Sequence, residues 1–296
     1  MRIFGVIGYP IGHSLSPVMH TAAFQALGLD ALYTAFAVPP RVLRPVLQAL
    51  EVCAADGLNI TVPHKEATAV YLSRRGTLTP MARAIGAVNT LVLERGRYVG
   101  HNTDVEGFRQ VLRRELTYEI HGKRVLLLGA GGAARAVAWA LASDHATQLV
   151  IANRTRTRAE SLARWIRAAF STLTVRTIPL KDRDVAEVLQ ETDLLINATS
   201  LGLRANDPLP VRLSSVPRRV VLVDLVYRAP TTRLVRDARK RGMVAIDGLP
   251  MLVYQGAEAI RLWTQQDPPV PVMRQAVEQA IRKSRPRSIV DSPQRS

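Results

Sequence analysis

The sequence predicts an α/β fold in two parts: an N-terminal α/β domain, then a Rossmann-type domain with a doubly wound parallel sheet. Three observations lead to this prediction. Short apolar runs alternate with helix-length segments over residues 123–248, and a glycine-rich turn follows the first of these runs. The first hundred residues repeat the alternation with different contents. Apolar strands joined by helices indicate a parallel sheet that is covered on both faces.

In the first part, the segments RIFGVIG, ALYTAFAV and GLNITVP predict strands. Between them, SPVMHTAAFQALGL and RVLRPVLQAL predict helices, the former with Pro17 in its first turn. Residues 83–104 predict a strand pair that turns at Arg95 and Gly96. The segment VEGFRQVLRRE then predicts a helix that links the two parts.

In the second part, six segments predict strands: RVLLLG, QLVIANR, LTVRTIPL, DLLINAT, RVVLVDLV and MVAIDG. The helix after the glycine turn should begin near Ala133. Two further helices, LPMLVYQGAEAIRLW and PVMRQAVEQAIRK, follow Gly248. We expect residues 1–104 to form the first domain, with the helices of residues 250–283 packing back on it, and residues 105–249 to form the second. Residues 284–296 should be a disordered basic tail.

Composition narrows the class of protein. A chain of 296 residues with 47% hydrophobic content can bury a large core, and no apolar run reaches the roughly 18–20 residues needed to cross a bilayer. The single cysteine, Cys53, excludes an intramolecular disulfide and suits a cytoplasmic protein. The six histidines lack metal-ligand spacing, so we expect no metal site.

The net charge of +16 raises the question of a nucleic-acid or membrane partner. The arginines are spread along the chain, and aromatic residues make up only 5% of it, which disfavours a base-stacking surface. We therefore expect small-molecule ligands, with no nucleic acid and no membrane as partners.

The segment GAGGAA, residues 129–134, stands between an apolar strand and an alanine-rich helix. Glycines let the backbone approach a pyrophosphate, and a helix N-terminus supplies unpaired N–H groups. In this context a dinucleotide site is favoured over the alternative, a simple tight turn. The residues concerned are Gly129, Ala130, Gly131, Gly132 and Ala133.

The end of the next strand indicates which dinucleotide binds. An NAD enzyme carries an acid there for the ribose 2′-hydroxyl. This chain instead has Asn153, Arg154, Thr155 and Arg158, with no carboxylate before Glu160. Arginines bind a 2′-phosphate through charge-assisted hydrogen bonds, so NADP(H) is the predicted cofactor.

Other polar residues follow strand ends. Ser14 and Ser16 are two apart in a loop, so both hydroxyls can face a carboxylate, or they can cap the next helix. In residues 197–203, NATSLGL, the side chains of Asn197, Thr199 and Ser200 can contact a nicotinamide ribose or cap the following segment. The remaining candidates are Asn59, Thr61, Lys65, Asn89, Asp104 and Tyr227. Taken singly, each of these residues fits a structural role in a turn or a helix cap. Taken together, their hydroxyl, amide, lysine and aspartate groups suit the binding of a small polyhydroxylated acid.

Lys65 is unusual for its residue type. Only five of the 40 basic residues are lysines. An ammonium group can approach a substrate closely and exchange a proton, which a guanidinium cannot do. Lys65 is therefore the candidate for acid–base chemistry.

Nine segments, in this order, resemble the NADP-dependent shikimate dehydrogenases of the shikimate/quinate dehydrogenase family: GHSLSPVMH, NITVPHKEA, GAVNT, GHNTD, GAGGAARA, ANRT, NATSLGL, DLVY and DGLPMLVYQGAEA. The similarity covers about residues 3–281. It implies a substrate domain and an NADP domain separated by a deep cleft. It also implies reversible reduction of 3-dehydroshikimate to shikimate, a step toward chorismate and the aromatic amino acids.

The resemblance also implies roles for single residues. Lys65 and Asp104 would be the catalytic pair, and Ser14 and Ser16 would bind the substrate carboxylate. Further substrate contacts would come from Thr61, Asn89, Tyr227 and Gln255. The pyrophosphate would lie at residues 129–133, and the 2′-phosphate at Asn153, Arg154, Thr155 and Arg158. Other cofactor contacts would come from Thr199, Leu225, Gly248 and Met251. The family often has a glycine where Pro250 stands here, which leaves the backbone path beside the nicotinamide open.

Three alternatives remain at this stage. An NAD-linked quinate/shikimate dehydrogenase would carry an acid where Asn153 and Arg154 stand. A non-catalytic dinucleotide-binding regulator would be expected to lack Lys65 or Asp104. A nucleic-acid-binding protein is favoured by net charge alone. The sequence leaves monomer and homodimer open, with the homodimer as the assembly we consider.

Overall fold

The computed structural model describes residues 1–204, 206–228 and 230–283. The tail predicted at residues 284–296 lies outside these described residues. Within them, the elements form two separate sheets, as the predicted fold class requires.

The first sheet has five strands in the order β2-β1-β3-β4-β5. β1 pairs in parallel with β2 and β3, whereas β4 is antiparallel to β3 and β5. Arg95 and Gly96 have φ of 49° and 76° at the predicted turn, the left-handed conformation that tight hairpins use. The strands are β1 (Arg2–Gly8), β2 (Ala31–Ala37), β3 (Gly57–Ile60), β4 (Thr90–Glu94) and β5 (Arg97–His101).

Four helices and a 3₁₀ turn connect these strands. Pro17 lies in the first turn of the first helix, as predicted. The short fourth helix has local stops at both ends: the Thr79 hydroxyl accepts a hydrogen bond from the Ala82 N–H, and Gly86 adopts φ 69°. The elements are α1 (Ser16–Ala26), the 3₁₀ turn Pro40–Val42, α2 (Leu43–Val52), α3 (Lys65–Ser73) and α4 (Pro80–Ile85).

The second sheet has six parallel strands in the order β11-β10-β9-β6-β7-β8. The strand order reverses between β6 and β9, and in such sheets ligands bind at the carboxyl ends beside the reversal. The strands are β6 (Arg124–Leu128), β7 (Gln148–Asn153), β8 (Thr174–Pro179), β9 (Leu194–Asn197), β10 (Val221–Asp224) and β11 (Ala245–Ile246).

The helices of the second half begin with α5, which links the two sheets, and end with two helices after Gly248. They are α5 (Asp104–Gln110), the π-helical turn Val111–Glu115, α6 (Gly132–Ser143), α7 (Arg156–Ala169), α8 (Asp182–Leu189), the 3₁₀ turn Leu213–Ser215, α9 (Arg233–Lys240), α10 (Leu249–Thr264) and α11 (Val270–Lys283).

Both C-terminal helices, α10 and α11, pack against α1 of the first half, and α10 also packs against the linking helix α5. Trp263 on α10 anchors this contact because its indole Nε1 donates to the Leu91 carbonyl at 2.9 Å and its ring lies 5.0 Å from that of Phe4. Along the described residues, no helix combines the length and apolar character needed to span a membrane.

Some element boundaries differ from the predictions. The predicted helices did not include α3 and α4. The linker helix changes to a π turn at Val111, where Glu115 accepts a hydrogen bond from the Tyr254 hydroxyl at 2.6 Å. Only two residues of the predicted strand MVAIDG pair, and α6 begins at Gly132, one residue before the predicted start.

Candidate active site

Lys65 and Asp104 form an ion pair at the carboxyl edge of the first sheet. Lys65 is the first residue of α3 and Asp104 the first of α5, so two helix starts bring together side chains that are 39 residues apart. Lys65 Nζ lies 2.6 Å from Asp104 Oδ2, and the side chains are 15% and 4% exposed.

Asn89, immediately before β4, holds the other oxygen of this carboxylate. Its Nδ2 lies 2.8 Å from Asp104 Oδ1, 2.9 Å from Thr103 Oγ1 and 3.2 Å from Gln255 Oε1. Its Oδ1 accepts the Thr103 backbone N–H at 2.7 Å. Four candidate residues from four separate regions of the chain therefore make one continuous polar cluster: Lys65, Asn89, Asp104 and Gln255.

Ser14 and Ser16 lie at the start of α1. The Ser16 backbone N–H donates to Ser14 Oγ at 3.2 Å, and the Ser16 side chain is buried. Tyr227 reaches this point from the second half of the chain. Burial raises the pKa of the Tyr227 phenol, and hydrogen bonds from the Leu15 backbone N–H and the Ser14 hydroxyl oppose that rise.

Thr61 follows β3, four residues before Lys65. Its backbone N–H donates to the Ile7 carbonyl at 2.9 Å, which continues the β1–β3 pairing beyond the last strand residue. The Thr61 side chain is half-buried. Its place in the site follows from the strand end, which brings it to the same edge of the sheet as Lys65.

The glycine turn has the shape that a nucleotide phosphate needs. Gly129 has φ 110°, and a Cβ there would lie 2.7 Å from the Ala198 carbonyl oxygen, so only glycine fits. A Cβ on Gly131 would meet nothing within 4 Å, and no side chain caps α6 at that residue. The space beside Gly131 is thus open and no side chain caps the start of α6, which fits a bound pyrophosphate. Ala130 and Ala133 complete the turn.

Gly132 connects this turn to the ion pair. A Cβ on Gly132 would lie 3.0 Å from Lys65 Cβ and 3.5 Å from Lys65 Cδ. The aliphatic stem of Lys65 therefore lies against the start of α6, between the first sheet and the glycine turn.

The arginines after β7 divide into paired and unpaired side chains. Arg156 Nε binds Glu160 Oε1 at 2.6 Å. Arg154 and Arg158 are exposed and have no ion-pair partner in residues 1–204, 206–228 and 230–283. Asn153 Nδ2 donates to the Thr155 carbonyl at 2.9 Å and holds the bend that precedes α7. The one nearby carboxylate is thus neutralised, and two guanidinium groups face solvent.

The remaining cofactor candidates lie around Asp224 at the end of β10. Asn197 is fully buried; its Nδ2 donates to Asp224 Oδ1 at 2.8 Å, and its Oδ1 accepts from Thr199 Oγ1 at 2.7 Å. The side chain of Asn197 therefore positions Thr199 instead of facing a ligand. A Cβ on Gly248 would lie 2.2 Å from the Leu225 carbonyl oxygen, so those two backbones touch.

Met251 and Pro250 lie in the first turn of α10, and both are buried. Pro250 sits where a helix tolerates proline, so the departure from the family pattern leaves this turn helical. Met251 packs with the core of the second sheet.

Sequence reasoning missed Arg135 and Trp165, which join the two halves. Arg135 Nε donates to the Ile85 carbonyl, and its guanidinium stacks 4.3 Å from the Trp165 ring centroid. Trp165 Nε1 donates to the Ala84 carbonyl at 2.7 Å. The only sequence signal was Arg135 itself, a charged residue in an alanine-rich helix.

Three family models match the chain. They describe a shikimate dehydrogenase substrate binding domain over residues 6–91, a shikimate/quinate 5-dehydrogenase over residues 111–247 and a shikimate 5′-dehydrogenase C-terminal domain over residues 248–278.

Individual proteins match over nearly the whole chain. A shikimate dehydrogenase (NADP(+)) of Methanosarcina mazei is 46% identical, with 95% of this chain and 99% of that protein covered. One from Methanopyrus kandleri is 43% identical, with 95% and 96% covered. The crystal structure of shikimate 5-dehydrogenase from Thermus thermophilus in complex with NADP(H) and shikimate has a TM-score of 0.82 and 39% identity, with 95% of this chain and all of that chain covered.

Proposed function

The chain belongs to the shikimate dehydrogenase family, and from that premise we propose that it catalyses the reversible NADPH-dependent reduction of 3-dehydroshikimate to shikimate. The reaction is a step toward chorismate and the aromatic amino acids. The observation that carries this proposal is the Lys65–Asp104 ion pair of 2.6 Å, whose lysine stem lies against the nucleotide turn at Gly132.

For the substrate, we propose that the Ser14 and Ser16 hydroxyls bind the carboxylate, as their adjacency at the start of α1 favours. Four side chains would contact the carboxylate or the ring hydroxyls: Thr61, Asn89, Tyr227 and Gln255. The Asn89–Gln255 and Asn89–Asp104 contacts support this set. In domain terms, residues 1–104 and about 250–283 would bind the substrate, and residues 105–249 would bind the cofactor.

For NADP(H), we propose that Gly129, Ala130, Gly131, Gly132 and Ala133 hold the pyrophosphate. The 2′-phosphate would be bound by Asn153, Arg154, Thr155 and Arg158. The other cofactor contacts would come from Thr199, Leu225, Gly248 and Met251. The unpaired guanidinium groups of Arg154 and Arg158, and the open space at Gly131, support these assignments. An NAD-linked enzyme would need a free acid where this chain has arginines.

The proposed mechanism of ketone reduction follows from the charges of Lys65 and Asp104. NADPH, when bound, supplies the hydride that reduces the ketone carbon. The Lys65 ammonium stabilises the negative charge that develops on the ketone oxygen and is the proton donor within reach. Asp104 accepts a hydrogen bond from this ammonium and orients it, while Asn89 fixes the second carboxylate oxygen.

The test compares Lys65→Met with wild type in initial-rate assays that use shikimate with NADP or NAD. Methionine retains the stem that lies against Gly132 and removes only the ammonium. We expect turnover to fall at least ~100-fold, as for loss of acid–base or oxyanion stabilisation, while the affinity for NADP stays unchanged. Lys123→Met is the matched control because Lys123 lies over the Tyr118 ring, before β6.

Two results would overturn the proposal. One is a wild-type enzyme that fails to oxidise shikimate with NADP, or that prefers NAD or quinate. The other is a Lys65→Met variant that retains most of its turnover.

We propose further that the enzyme works in the cytoplasm, which the exposed unpaired Cys53 thiol supports, and that it forms a homodimer. β2 is an edge strand with Leu32 48% exposed, which makes its surface a candidate contact. Analytical ultracentrifugation tests this, because a particle of 32.6 kDa would exclude the dimer.

A further inference from the structure

A line of buried hydrogen bonds runs from β2 through the first sheet to Asp104. The Tyr33 hydroxyl donates to Asn59 Oδ1 at 2.6 Å, and Asn59 Nδ2 donates to Thr90 Oγ1 at 3.3 Å. Thr90 Oγ1 donates to Asn89 Oδ1 at 3.2 Å. Asn89 Nδ2 then donates to Asp104 Oδ1. All five side chains are at most 5% exposed.

The direction of these hydrogen bonds is fixed at the two asparagines. The Thr90 hydroxyl lies 3.2 Å from both Asn89 Oδ1 and Thr103 Oγ1, and either threonine can be the donor in the second contact. Asn59 Nδ2 also faces the Asn89 backbone carbonyl, at 3.4 Å, so the Asn59 amide cannot flip without placing two oxygens together. Tyr33 must then donate to Asn59. Asn89 is fixed in the same way, because its Oδ1 faces the Thr103 N–H. The links made by Tyr33, Asn59 and Asn89 therefore donate toward Asp104, which as a carboxylate only accepts.

The far end of the line lies against α1, the helix that begins at Ser16. The ring of His20, on this helix, stacks on the Tyr33 ring with the two centroids 4.3 Å apart. Burial raises the pKa of the Tyr33 phenol, which keeps its hydroxyl protonated as a donor.

We propose that Thr90 and Tyr33 are positioning residues: they hold the Asn89 amide, and through it Asp104, in the geometry that orients the Lys65 ammonium. This inference rests on the proposed function, because it takes Lys65 and Asp104 as the catalytic pair. Neither Thr90 nor Tyr33 touches the Lys65–Asp104 pair. Their effect on the reaction passes through Asn59 and Asn89.

The decisive comparison is Thr90→Val with Thr90→Ser. Valine has nearly the shape of threonine but no hydroxyl, whereas serine retains the hydroxyl and loses a methyl group. We expect kcat to fall about 10-fold in Thr90→Val, with the KM for NADP unchanged, and to return to near the wild-type value in Thr90→Ser. A role in packing alone would predict the reverse order, because serine leaves a cavity and valine does not.

Tyr33→Phe provides a second, independent variant. Its matched control is Tyr98→Phe: the Tyr98 hydroxyl is also buried and donates to the Ala55 carbonyl at 3.0 Å, but no link joins it to Asp104 within the described residues. We expect Tyr33→Phe to lower kcat and Tyr98→Phe to leave it unchanged. If Thr90→Val fails to fold, the comparison of Tyr33→Phe with Tyr98→Phe still tests the positioning role.

Three results would overturn the inference: an unchanged kcat in Thr90→Val, an equal loss in Thr90→Ser, or equal effects of Tyr33→Phe and Tyr98→Phe. Lys65→Met, measured in parallel, separates this from the proposed function. If Lys65→Met loses turnover and Thr90→Val does not, only the positioning role fails. If Lys65→Met retains turnover, the proposed catalytic pair fails.

Discussion

Replacing Arg154 or Arg158 by alanine should weaken NADP binding and leave NAD binding unchanged. Both side chains follow β7, where the adenosine ribose of a dinucleotide lies in this fold class. Both are exposed and without an ion-pair partner among the described residues, so alanine removes a charge without stranding a carboxylate. The effect should therefore come from the lost 2′-phosphate contact alone.

The magnitude follows from the exposure of the two arginines. Hydrogen bonds to charged groups contribute about 1.5–3 kcal/mol, and solvent screening at an exposed site favours the lower end. A loss of about 1.5 kcal/mol corresponds to roughly tenfold in affinity. We expect the KM for NADP to rise about tenfold in each variant, with a smaller rise at high ionic strength, where screening already weakens the contact.

The assay measures kcat and KM for shikimate oxidation with NADP and with NAD at two salt concentrations. Arg156→Ala is the matched control, because Arg156 lies between the two candidates but is held by Glu160 at 2.6 Å. If KM rises equally for NADP and NAD, the arginines stabilise the loop and do not recognise the phosphate. If Arg156→Ala has as large an effect as the others, recognition is not specific to Arg154 and Arg158.

Two further predictions concern stability. Burial raises the pKa of Asp224 from 3.8 to about 6, so the folded state favours the protonated form, and stability falls as pH rises through this range. Between about pH 5 and pH 7 the free energy of unfolding should fall by about 1.3 kcal/mol because of this group, and urea unfolding of Asp224→Asn should lack that fall. The explanation is contradicted if the free energies of unfolding of wild type and variant change in parallel with pH. Trp263→Phe should lower the free energy of urea unfolding by about 3 kcal/mol, because the Leu91 carbonyl loses its hydrogen-bond donor and a cavity opens. A loss under about 1 kcal/mol would show that the surrounding side chains close around phenylalanine.

The second sheet was predictable because its signals are local. Each strand is a short apolar run, and the glycine turn stands between a strand and an alanine-rich helix. The elements that were missed lack such signals or depend on tertiary contacts. α4 is only six residues long, although Thr79, Pro80 and Gly86 mark its ends. The π turn at residues 111–115 coincides with the contact between Glu115 and Tyr254, which lies 139 residues away.

The residues of the candidate site also fall into a group that local sequence signals predicted and a group that depends on tertiary contacts. Polar residues at strand ends indicated Lys65, Asn89 and Asp104. Lys65 and Asp104 follow the carboxyl ends of β3 and β5, and Asn89 precedes the antiparallel strand β4, which begins at the same edge of the sheet. The residues behind them could not be identified, because Thr90 is one of several threonines in apolar strands. What distinguishes it is that Asn59 and Asn89 lie within hydrogen-bonding distance of its hydroxyl, and this depends on the register of β3 against β4.

The choice of lysine at residue 65, in a chain so rich in arginine, now has a structural reason. Its stem passes Gly132 so closely that a Cβ there would lie 3.0 Å from Lys65 Cβ, and its tip meets Asp104 at 2.6 Å and is 15% exposed. A guanidinium is broader and does not release its proton, so it fits neither the space nor the chemistry. The position of the ammonium group is set from both halves of the chain, by Asp104 on α5 and by the first residue of α6. Arg135 also joins the two halves, because it donates from α6 to the carbonyl of Ile85 at the end of α4. The geometry of the proposed catalytic pair therefore depends on the contact between the two halves as well as on the residues of either one.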